Sequence, residues 1–164
     1  MSPEQAKAVG DFLIADFERE METTLRVIEA VPTGKLEYQP DVKSSTGLGL
    51  IRHLPLLDAW LLNSIADGSF GNVPDQTDGC GIATPADAAA CYREKAQAAL
   101  ARVKELSGEQ LAAIIDFFGM MQMPAVSFIQ LAIKHSIHHR GQLSAYLRPM
   151  GGKVPGIYGP SADK

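Results

Sequence analysis

PAVSFIQLAIKHSIHHRGQLSAYL, residues 124–147, carries its apolar side chains at steps of three and four. At about 100° per residue, Phe128, Leu131, Ala132, His135, His139, Gln142, Leu143 and Tyr146 share one face of a helix. Pro124 suits a first turn, and Pro149, Gly151 and Gly152 end the run. A stripe of this width has to be covered by other helices. Two imidazoles, His135 and His139, lie on it one turn apart.

Three more segments show the same period. Residues 3–30 open with Ser2 as N-cap and Pro3 in the first turn, and Pro32 and Gly34 stop them. Leu13, Phe17, Met21, Thr24, Leu25 and Ile28 form the buried face. Residues 46–67 follow a polar loop and end at Gly68, with Pro55 predicting a kink or a later helix start next to His53. Residues 85–106 start from Thr84 as cap and are rich in alanine, which allows close approach. Between them, residues 68–84 form a long loop, a place where function often sits. Residues 114–123 read as a connector, extended or irregularly helical, with a turn at Gly119. Four helices of about 20 residues predict an all-α four-helix bundle. At 164 residues, one domain spanning 1–164 is expected.

Composition narrows the classes of function. The apolar fraction is 46%, the charged fraction 21% and the net charge −4, so a packed core is expected and a nucleic-acid partner is not. No run reaches the roughly 18 apolar residues of a membrane span. The polar N-terminus does not read as a signal peptide, and a cytoplasmic location is expected. Cys80 and Cys91 form no CxxC pair and read as free thiols, with Cys80, between two glycines, the more exposed.

Burying imidazoles without partners is costly, and a metal ion compensates for that cost because neutral imidazole is its commonest ligand. The i, i+4 spacing lets His135 and His139 share one ion. His53 is the only histidine outside the 135–139 segment and is the candidate third ligand. His138 competes with His139 for the second place, although its position at the edge of the stripe suits a supporting or surface role. Three imidazoles and no evident fourth ligand leave a coordination position open, as in catalytic rather than structural zinc sites. Asp58 is a candidate to orient an imidazole, and Gln142 to hydrogen-bond beside the ion. Arg140 is a candidate to pair with a carboxylate of a neighbouring helix. Trp60 and Tyr146 read as core or pocket-wall aromatics, and Met120, Met121 and Met123 as gap-fillers.

Residues 134–163, KHSIHHRGQLSAYLRPMGGKVPGIYGPSAD, resemble the C-terminal signature of the DinB/YfiT-like metalloenzyme family, the DinB superfamily. LIRHLPLLDAWLL, residues 50–62, is similar to that family's second helix with its single histidine. The resemblance implies a four-helix bundle with crossover connections, often a homodimer, and a metal held by His53, His135 and His139. Its HxxxHRGQ core selects His139 over His138. It also implies zinc or nickel as the divalent metal ion, and a possible low-molecular-weight thiol as cofactor. Three functions are weighed. The first is a metal-dependent, thiol-using transferase acting on a small-molecule substrate. The second is a metal-dependent hydrolase, which lacks an evident acid or base beside the histidines. The third is a non-catalytic metal-binding stress-response protein.

Overall fold

A computed structural model describes residues 1–76 and 81–163. Cys80 lies outside the described residues, whereas Cys91 is half-buried and in no disulfide. Helix α1 (Pro3–Glu29) begins with a reciprocal cap, in which the Gln5 N–H donates to Ser2 Oγ and the Ser2 N–H to Gln5 Oε1. Helix α2 (Gly47–Asp67) is capped by Thr46 and closed by Gly68 at φ 69°, a left-handed value that glycine adopts without a Cβ clash. Helix α3 (Pro85–Lys104) starts from a second reciprocal cap between Thr84 and Asp87.

The long final helix reaches further than its sequence punctuation predicts. It runs over Ala125–Met150, passes Pro149 and stops at Gly151, φ 89°. It follows two elements that the sequence reading left out or undecided. Helix α4 (Gly108–Ala112) is one turn capped by Ser107. Strands β1 (Ile114–Phe117) and β2 (Met121–Pro124) then pair antiparallel, with Ile114 opposite Pro124 and Phe117 opposite Met121. The final helix is therefore α5. The hairpin turns through Phe118 at φ 54° and Gly119 at φ 71°. Two successive positive φ values match the right-handed twist of the flanking strands. An aromatic residue rarely adopts one; here the Phe118 ring stacks on Trp60, with centroids 6.3 Å apart and an interplanar angle of 8°. Asp116 accepts the Gly119 N–H at 2.8 Å and tightens the turn. Two of the three methionines here are not gap-fillers, Met120 being 69% exposed and Met121 39%, because the strands lie on the flank of the bundle, whereas Met123 packs against the core.

Helix α2 starts where its caps place it and runs unbroken through Pro55. Losing one backbone bond to an internal proline costs about 3 kcal/mol. Leu50, Ile51, Leu54 and Leu62 of this helix are all buried, and each contributes roughly 1.5–3 kcal/mol, so packing outweighs the loss.

Helices α1 and α2 each pack against α3 and α5. They therefore occupy opposite corners, and both the α1–α2 and the α3–α5 connections cross the bundle. Phe17, Tyr92 and Phe128 fill the centre without solvent exposure. Among the described residues no helix is long and apolar enough to cross a membrane. The consequence for function is adjacency: α2 and α5 are neighbours, so His53 faces the helix that carries His135 and His139.

Candidate metal centre

The three histidines converge. His53 Nε2 lies 3.0 Å from His135 Nε2, and one nitrogen from each of His53, His135 and His139 falls within 4.8 Å of the others. The ring of His139 sits 4.1 Å from that of His53 and 4.5 Å from that of His135, centroid to centroid. All three side chains are half-buried. His138 is exposed and outside the group, so the helical phase places His139, not His138, against α2.

Each outer ring nitrogen meets an oxygen. His135 Nδ1 is 3.0 Å from Asp58 Oδ1, His53 Nδ1 is 2.7 Å from Gln76 Oε1, and His139 Nδ1 is 2.7 Å from Gln142 Oε1. These oxygens only accept, so each Nδ1 carries the proton and each Nε2 keeps its lone pair. Two such lone pairs 3.0 Å apart repel unless a cation lies between them. At His53 and His139 protonation is a poor remedy. Burial holds His53 below its usual value against the opposing Gln76 hydrogen bond. Burial, followed by the neighbouring His53, pushes His139 down to about 4. Neutral imidazoles with inward lone pairs are what a divalent metal ion binds, so this donor set fits one. Among the described residues no fourth His, Cys, Asp or Glu joins the group.

Asp58 is wholly buried. Its second oxygen accepts the Tyr92 hydroxyl at 2.9 Å. Burial first, and then the Asp58 charge, raises the Tyr92 phenol well above its ordinary value, so the donor keeps its proton. Both carboxylate oxygens are thereby engaged, one on the His135 imidazole and one on Tyr92 of α3.

The arginine of the HxxxHRGQ run is structural. Arg140, 1% exposed, forms an ion pair with Glu20 on α1. It also donates to Tyr158 Oη at 2.6 Å and weakly to Thr24 Oγ1 at 3.4 Å. Tyr158 in turn donates to Glu20 Oε2 at 2.9 Å, which ties the C-terminal tail to the bundle. The guanidinium thus pins α5 to α1 and fixes the rotation that turns His135 and His139 toward α2.

Three contributors escape sequence reading. Glu20 falls between Phe17 and Thr24 on the buried stripe of α1, a phase that marks it in retrospect. Tyr92 lies one turn from Ala88 and Ala96, which are both buried, so helical phase again carries a signal. Gln76 sits in the long loop after α2, where no periodicity exists to point to it.

Comparison with known proteins identifies the family and the fold. The profile of the DinB family matches residues 7–164, and the chain belongs to that family. It is 29% identical over 146 residues to the uncharacterized protein YjoA of Bacillus subtilis (strain 168), covering 85% of this chain and 89% of that one. A shorter match, 46% identical over 50 residues, joins it to the uncharacterized protein YrdA of the same organism; it spans 30% of this chain and 29% of YrdA. Two crystal structures share the fold. One is a DinB-like protein from Bacillus cereus ATCC 10987, with TM-score 0.76, 24% identity, and coverage of 89% of this chain and 95% of that one. The other is the DinB-like YjoA from Bacillus subtilis, with TM-score 0.70, 24% identity, and coverage of 90% and 97%.

Proposed function

We propose that this DinB-family chain is a metal-dependent enzyme that binds a divalent ion, zinc or nickel, through Nε2 of His53, His135 and His139. The observation that carries the reading is the set of inward Nε2 lone pairs, each locked by an oxygen on the opposite ring nitrogen. Imidazole ligands suit zinc and nickel. When bound, such an ion supplies Lewis acidity to whatever exogenous ligand takes the remaining coordination position.

A small thiol is the ligand that the surrounding residues favour. Hydrolysis asks for a free acid or base beside the ion, and the carboxylate that contacts the histidines, Asp58, has both oxygens committed. A thiol needs only to lose its proton to become nucleophilic. The protein's part is then positional. Asp58, Gln76 and Gln142 hold the three rings, and Arg140 holds α5.

Cobalt-loaded protein titrated with 2-mercaptoethanol tests this reading. A sulfur-to-cobalt charge-transfer band in the wild type, absent from His139→Ala, supports it. Failure of the wild type to bind one equivalent of cobalt or zinc overturns the metal site, and binding without any thiol response overturns the choice of ligand.

A further inference from the structure

Beside the histidines lies a cavity of about 360 Å³. Leu57 and Trp60 of α2, Leu131 of α5, Phe117 of the hairpin and Val73 of the loop line it, and His135 closes one side. Among the described residues His135 is the one lining residue with a titratable side chain. The size falls within the range of small-molecule sites, roughly 300–1,000 Å³.

The aromatic part of this wall is built rather than accidental. Trp60 is stacked on Phe118 with rings 8° from parallel. Phe117 meets Phe70 edge-on at 4.8 Å between centroids, and Phe70 meets the buried Phe128 at 4.9 Å. This interlocked cluster ties the hairpin to α2 and α5 and holds the cavity open beside His135. Away from His135 and the Trp60 N–H, a polar or charged group inside it would shed water against apolar side chains that offer it no hydrogen bond. An apolar group loses nothing and gains buried area.

We infer that this cavity takes the uncharged apolar portion, a single aromatic ring in size, of the small molecule whose polar end is held at the histidines. The polar end rests on the function proposed above; the apolar end rests on the cavity alone. Selection is then by shape and hydrophobicity at one end and by metal affinity at the other.

Trp60 is the only tryptophan of the chain and lines the cavity, so its fluorescence reports occupancy with or without metal. Three probes separate the two ends: benzyl mercaptan, 2-mercaptoethanol and toluene. Benzyl mercaptan is expected to bind cobalt-loaded protein about tenfold or more tightly than 2-mercaptoethanol. Toluene is expected to change Trp60 emission in metal-free protein. Val73 is 51% exposed, so Val73→Asp alters the rim without touching the core. That variant is expected to keep its melting temperature and its 2-mercaptoethanol affinity while losing the preference for the benzyl thiol. Equal affinity for the two thiols, with no response of Trp60 to toluene, overturns the inference while leaving the metal reading intact. A Trp60 response to toluene with no cobalt response to either thiol does the reverse: it supports the cavity and sinks the metal–thiol reading.

Discussion

Asp58 Oδ1 stands 3.0 Å from His135 Nδ1, and the carboxylate is fully excluded from solvent. A buried carboxylate is costly unless its lone pairs are used, and both oxygens of this one are occupied, the other by Tyr92. The pair therefore fixes ring orientation and tautomer together.

Asp58→Asn keeps the shape and removes the charge. Loss of an outer carboxylate partner of a metal-binding histidine typically costs 10–100-fold in affinity. Zinc affinity measured by chelator competition is expected to fall by about that factor in the variant. An unchanged affinity means that Asp58 serves only the packing of α2 on α3.

Metal binding links α2 to α5, so it is expected to stabilise the fold by mass action. Zinc is expected to raise the melting temperature of the wild type and to leave that of His53→Ala unchanged. His138→Ala, altering an exposed side chain outside the group, is expected to behave as wild type. A zinc response that survives in His53→Ala but disappears in His138→Ala overturns the assignment of ligands.

Arg140 and Glu20 are the buried ion pair of the α1–α5 interface, with side chains 2% and 12% exposed. Removing one partner strands the other. Arg140→Met is expected to lose roughly 3–5 kcal/mol of stability in urea unfolding. Adding Glu20→Gln is expected to restore part of it, since the uncompensated charge disappears. If the double variant is no more stable than the single, the loss stems from the packing of the guanidinium stem instead.

Much of this was legible in the residues, and the limits have physical causes. Caps at Ser2, Thr46 and Thr84 fixed helix starts because short side-chain acceptors satisfy orphan N–H groups locally. The stripe on α5 placed His135 and His139 because helical phase is a local property. Convergence with His53 is not local; it depends on α2 and α5 being neighbours in a bundle whose connections cross. Elimination among the four histidines proposed it and the family resemblance implied it; the periodicity did not. The hairpin was undecided because IIDFFGMMQM has neither a clean period of two nor one of 3.6, and its pairing is settled by a turn at Phe118 and Gly119 together with the Trp60 stack. Met120 and Met121 misled because hydrophobicity alone does not separate a core filler from an exposed strand on the bundle's flank.

Acid should act on the metal-free protein through its histidines before its carboxylates. His139 is held at about 4 against the usual 6.5, and His53 is also lowered, burial being the largest cause. Between about 4 and 6.5 the unfolded chain therefore binds more protons at His139 than the folded one, and stability rises with pH across that window. Read downward, stability is complete above pH 6.5, declines from there and levels off for this group near 4. The carboxyls lowered by local hydrogen bonds, among them Asp87 and Asp163, act at lower pH, because their unfolded values lie near 3.8. Urea midpoints of chelator-treated protein, taken stepwise from pH 7 to 4.5, are expected to fall, and to fall less steeply in His139→Gln. Identical slopes in the two proteins would mean that His139 titrates in the folded state as it does in the unfolded chain, and that its Nε2 is not shielded by the neighbouring rings.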